Sequence, residues 1–124
     1  METKEALEAG GICDITTTGA KSGEPRRIEI VFHHFDGEYF MTGKPGFKRD
    51  WLANLKANPK FTLHLKSGVT ADVEVIATEI TEQAQRGDVL YRILTESWGN
   101  EPDKANHILD RWVSQAPLVR FELV

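Results

Sequence analysis

The stretch Thr16-Thr17-Thr18-Gly19-Ala20-Lys21-Ser22-Gly23-Glu24-Pro25-Arg26-Arg27-Ile28-Glu29-Ile30 constrains this chain more than any other. A β-branched run enters a turn holding two glycines and a proline, then leaves as a second apolar strand. β-Branched residues favour a pleated chain, and Gly and Pro fix its reversal. A connection this short joins antiparallel strands and has no room for a crossover helix. The same logic recurs downstream. Residues 12–18 and 26–34 read as the first two strands, with Ile28, Ile30 and Phe32 on one face of the second and Arg27, Glu29, Val31 and His33 on the other. Phe35-Asp36-Gly37-Glu38 signals a hairpin into a third strand over 39–43. Phe61, Leu63 and Leu65 alternate with Thr62, His64 and Lys66, Ser67-Gly68 turns the chain into a strand over 69–80, and 118–124 closes it as another. About six mostly antiparallel strands predict a mainly β fold, a small barrel with helices covering its open edges.

The helices are fewer and shorter. Residues 3–9 form one, ended by Gly10-Gly11; residues 50–57 form another, with Trp51, Leu52 and Leu55 on one side and Asn58-Pro59 as its stop. Thr81 is the expected N-cap of a helix carrying Val89, Leu90, Ile93 and Leu94, with Glu82 in its first turn. An interruption at 98–102 precedes a last helix over 103–113. A chain of 124 residues without repeats or linkers is expected to be a single domain over 1–124.

Charge is unevenly distributed. Residues 20–66 carry nine Lys/Arg against five Asp/Glu, whereas 67–124 carry five against ten. A basic half on a chain of net charge −4 fits a small anionic ligand better than nucleic acid. The one cysteine, Cys13, excludes an internal disulfide and a cysteine zinc site, and it fits a reducing cytoplasm. Residues 1–11 are unlike a secretory signal, and no apolar run approaches the roughly 20 residues of a membrane helix.

His33 and His34 are adjacent on a strand, point to opposite faces and cannot chelate one metal; His64 and His107 have no partner at ligand spacing. Cys13 has no basic neighbour to activate it and reads as a small buried residue. With no nucleophile elbow or Walker loop, chemistry in this chain calls for a cofactor. Two segments suit one. In the first turn, Lys21, Arg26 and Arg27 place cations at a hairpin mouth, where backbone N–H groups and side chains together hold a phosphate. In Gly43-Lys44-Pro45-Gly46-Phe47-Lys48-Arg49-Asp50-Trp51, Lys44 leaves a strand end beside glycine, Lys48 and Arg49 approach a helix N-terminus, and Trp51 offers a flat apolar face. Trp51 reads equally as a core residue anchoring the helix, and the basic triplet as a solvated helix start.

Thr16-Thr17-Thr18-Gly19-x-Lys21-Ser22-Gly23-x-Pro25-Arg26, followed by Gly43-Lys44 and Trp51-x-x-Asn54-Leu55-x-Ala57-Asn58-Pro59, resembles the deazaflavin-dependent nitroreductase family. That family belongs to the split β-barrel, FMN-binding and pyridoxamine-phosphate-oxidase-like superfamily. The resemblance implies a monomeric or homodimeric split barrel that binds 8-hydroxy-5-deazaflavin, coenzyme F-420. It would pass a hydride to a small hydrophobic acceptor such as a quinone, nitroaromatic or conjugated alkene. It implies Lys21 and Arg26 near the cofactor's phosphate and acidic tail, Lys44 at the phosphate and Trp51 flanking the cleft; Lys48 and Arg49 join them on electrostatic grounds. The chain departs from the family in having Ala20 where an arginine is common, and in lacking C-terminal tyrosines, its only ones being Tyr39 and Tyr91. The alternatives within the same fold are an FMN-dependent oxidoreductase and a non-catalytic module that holds a flavin, haem or lipid.

Overall fold

The structure, a computed structural model, describes residues 1–124. Six strands, β1 (Gly11–Thr18), β2 (Pro25–Phe35), β3 (Glu38–Thr42), β4 (Lys60–Leu65), β5 (Ala71–Glu79) and β6 (Leu118–Leu123), close into an antiparallel barrel in the order β1-β2-β3-β6-β5-β4. Helices α1 (Thr3–Ala9) and α2 (Asp50–Ala57) flank it, and α3 (Gln83–Arg92) and α4 (Pro102–Gln115) lie between β5 and β6. Alternation along each strand sends one set of side chains inward. Ile15, Phe32, Met41, Leu63, Val75, Val119 and Phe121 fill the interior, joined by Ala6 and Leu7 of α1 and Trp51 and Leu55 of α2. A second cluster forms where Phe40 and Leu118, turned outward from β3 and β6, meet Leu90, Ile93, Leu94 and Trp112.

Closure changes what the helices do. With no sheet edge to protect around most of the barrel, α3 and α4 cover an apolar outer face of β3 and β6 instead of the open edges expected from sequence. Between them the chain widens into a π-helical turn over Ile93–Ser97. The helix expected to start at Thr81 is capped one residue later, by Glu82, whose carboxylate accepts from the Gln85 N–H. The strand expected over 69–80 is shortened at its start because Gly68, at φ +84°, prolongs the turn. The last helix starts a residue earlier, at Pro102, because proline is preorganised for a helix's first turn.

One irregularity positions the site. Cys13–Thr16 of β1 pair with β4, but Thr17 and Thr18 pair only with Arg26 and Pro25 of β2. β2 in turn meets β3 only from Phe32 to Phe35. The β1–β2 hairpin therefore overhangs the barrel. Ile28, which shares a strand face with Ile30 and Phe32, lies on this overhang and is 37% exposed.

Candidate functional site

The overhanging turn is held rigidly. The Gly19 N–H donates to the Glu24 carbonyl at 2.8 Å and the Gly23 N–H to the Gly19 carbonyl at 2.9 Å. Gly23 sits at φ +71°, a left-handed conformation that glycine adopts without strain. A Cβ on Gly19 would lie 2.4 Å from Ser22 Oγ, so a side chain there would turn that hydroxyl away from the Glu24 N–H that donates to it.

Helix α2 fastens this turn to the barrel. The buried Asn54 accepts from the Ala20 N–H through Oδ1 at 2.9 Å and donates through Nδ2 to Thr17 Oγ1 at 3.1 Å. One turn on, Asn58 Nδ2 donates to the Thr18 carbonyl at 3.4 Å. Asparagines four apart share a helix face, and here that face meets the hairpin. Sequence reading missed Asn54 as a positioning residue; its signal was an amide one turn beyond Trp51, on a helix too short to spare a buried polar group without a partner.

Between turn and helix lies a cavity of about 430 Å³ whose wall includes Lys21, Arg26, Ile28, Lys48, Asp50 and Trp51. Lys21 and Lys48 make no ion pair, and Arg26 has only the exposed Glu24 at 3.4 Å. Asp50, in the first turn of α2, is the single carboxylate on the wall. Trp51 takes the core placement that one of its sequence readings expects. It is 7% exposed and belongs to the barrel core, and it also lines the cavity.

Two of the six sequence-assigned residues stand apart. Arg49 opens on a neighbouring cavity of about 410 Å³, which Arg86 and Glu79 also line. Its guanidinium fills the space beside Gly43, 2.6 Å from where a Cβ would be, and donates to the Phe47 carbonyl at 3.1 Å. Gly43 thus admits a side chain of its own protein, and partial burial draws the Arg49 pKa down. Lys44 faces a further cavity, with His107 and Arg111 of α4.

Several basic and nucleophilic groups elsewhere are occupied. On the outer face of the barrel Asp14 accepts from Arg27 at 3.0 Å and Lys66 at 2.7 Å, and Lys66 also reaches Glu29. These cations hold the Asp14 carboxyl below its usual pKa. His64 bridges Thr16 and Asp72 at 2.7 Å each. Arg86 is nine-tenths buried and donates to the carbonyls of Ile80, Val113 and Ala116, tying α3 to the end of α4. Burial pushes the Cys13 thiol up to about 12, which leaves it a poor nucleophile. His33 is buried against Phe35 and Trp98 with Nδ1 on Ser97 Oγ at 3.0 Å, and desolvation lowers its pKa to about 4. No three His, Cys, Asp or Glu side chains converge as a metal site. No helix is long and apolar enough to cross a membrane.

Known proteins share this architecture. A conserved hypothetical protein from Mycobacterium tuberculosis superposes with a TM-score of 0.77 at 20% identity, covering 99% of this chain and 81% of that one. An F-420-H2 dependent reductase (FDR-A) superposes with a TM-score of 0.61 at 25% identity, covering 90% and 94%. HutZ, the heme storage protein from Vibrio cholerae, does so at 0.67 and 15% identity, covering 98% and 87%. The family model described as F-420H(2)-dependent quinone reductase matches residues 2–112, and the chain belongs to that family.

Proposed function

We propose that this chain is a deazaflavin-dependent oxidoreductase that binds reduced coenzyme F-420 in the cavity between the β1–β2 turn and α2 and passes its hydride to a small hydrophobic acceptor, a quinone foremost. The observation that carries this reading is the union of Lys21, Arg26 and Lys48 with Trp51 on one wall. The donor set fits the cofactor. Its phosphate and carboxylates suit Lys21 and Lys48, which no protein carboxylate pairs, and Arg26, whose one carboxylate partner is exposed, and its ring needs a flat apolar face. Family membership supports the same cofactor. When bound, the deazaflavin supplies the hydride chemistry. The chain's own residues bind and orient it and keep water from its face. Lys21, Arg26 and Lys48 grip the anionic portion, Trp51 walls the ring, and Asn54 holds the turn at its distance from α2. Lys44 and Arg49 line other cavities and stand outside this wall. The single buried Cys13 suits a reducing compartment, the cytoplasm.

Titrating the purified chain with the deazaflavin coenzyme and with FMN, followed by fluorescence, tests the reading. Saturable binding of the deazaflavin, with FMN weaker, is expected. Stoichiometric FMN with no deazaflavin binding overturns it in favour of a flavin enzyme of the same fold.

A further inference from the structure

The cavity that takes Lys44 has a character of its own. It measures about 480 Å³ and lies between the 43–49 loop and the later turns of α4. Three basic side chains line it, Lys44, His107 and Arg111, and no carboxylate does. None of the three makes a side-chain hydrogen bond or ion pair with the protein. Phe47, Ile108 and Trp112 supply an apolar wall.

Spacing on α4 builds the two halves of this surface. His107 and Arg111 are one turn apart, as are Ile108 and Trp112, so a basic stripe runs beside an apolar one. The loop completes it. Gly46 is at φ +89°, and its bare backbone lets Arg111 Nη2 come within 3.2 Å of where a Cβ would stand. The guanidinium therefore packs on the loop at the cavity wall. Phe47 is 67% exposed, with the Arg49 guanidinium 5.6 Å from its ring centroid. Flanking apolar and cationic surface in a concave site selects a ligand with the complementary halves.

We propose that this cavity is a second binding site, specific for an aromatic anion: a flat ring laid against Phe47, Ile108 and Trp112, and a carboxylate, sulfonate or phosphate substituent held by Lys44 and Arg111. The site is separate from the wall that carries Lys21 and Trp51, and it binds whether or not the cofactor is present. That such an anion is also the hydride acceptor rests on the function proposed above; the binding does not.

Calorimetric titration of the full-length, cofactor-free chain with naphthalene-2-sulfonate, its neutral isostere naphthalene-2-sulfonamide, and inorganic sulfate tests the site. The sulfonate should bind at least about tenfold more tightly than either of the others, because each lacks one of the two halves. Arg111→Gln and Lys44→Gln should each lower sulfonate affinity about tenfold and leave sulfonamide affinity unchanged. Lys104→Gln, on the same helix but outside the cavity, should bind like wild type, and so should Lys21→Ala, which separates this site from the cofactor's. Equal affinities for sulfonate and sulfonamide, sulfate binding as tight as the sulfonate, sulfonate affinity that survives both substitutions, or no heat of binding would each overturn the proposal.

Discussion

The β1–β2 hairpin treats its cations in two ways. On the outer face of the barrel, Arg27 and the neighbouring Lys66 are matched by Asp14 and Glu29. At the overhanging end, Lys21 has no partner, Arg26 has only an exposed glutamate, and Lys48 arrives from the next loop without one. The two regions are a few residues apart in sequence and differ in what they leave unfinished. Matched charges contribute to the barrel and have little field to offer a ligand. Unmatched charges repel one another and favour whatever anion reaches them. A cation without a partner beside a cavity is thus a better mark of function than a cation alone.

The largest expected effect comes from removing the unmatched pair. Lys21→Ala with Lys48→Ala should weaken coenzyme binding by about 3 kcal/mol, about 100-fold, since two charged hydrogen bonds to the anion are lost. Thermal stability should hold, because neither side chain has a protein partner. An unchanged titration would show that the unmatched cations do not hold the coenzyme.

His33 shows a third treatment, a basic group kept neutral by burial. Its pKa falls from 6.5 in the unfolded chain to about 4 in the fold. Below pH 6.5 the unfolded state takes up a proton that the folded state refuses, so stability declines as pH drops from 6.5 towards 4. The loss attributable to His33 is about 3 kcal/mol. Denaturant unfolding across this range should show a shallower acid decline in His33→Phe than in wild type, and equal slopes would contradict the burial argument.

Asn54→Ala should cost about 2 kcal/mol of stability, since the Ala20 N–H and Thr17 hydroxyl lose their partner beneath the turn. It should also weaken coenzyme binding, although Asn54 carries no charge; a loss of stability alone would show that the turn needs no fastening. Smallest of all, Arg27→Ala should lower stability slightly and leave coenzyme affinity at the wild-type value, which sets the matched face apart from the mouth.

Much of the barrel was legible because strand signals are local. The alternation of Phe61, Leu63 and Leu65 placed β4 to within a residue, and Asn58-Pro59 ended α2 where expected. The exposure of Ile28 was not legible, because it depends on β2 losing its neighbour before Phe32, a matter of register between strands. Arg86 gave no sign of its role, since the three carbonyls it binds come from different parts of the helical layer and the strand end before it. The cations were visible as a set but not as a partition. Which of Lys21, Arg26, Lys44, Lys48, Arg49 and Trp51 share a wall follows from how the 43–49 loop folds over the barrel mouth, and local spacing does not encode that. The positive φ at Gly46 and the small volume at Gly43 were the nearest clues.

The most direct measurement is turnover. A catalytic amount of the chain is mixed with reduced coenzyme F-420 and menadione, and the return of oxidised-deazaflavin absorbance is followed. Many turnovers per protein are expected, with the rate at limiting coenzyme collapsing in Lys21→Ala/Lys48→Ala and persisting in Arg27→Ala. Coenzyme that binds but is never oxidised, or a protein that holds only FMN, would contradict that expectation.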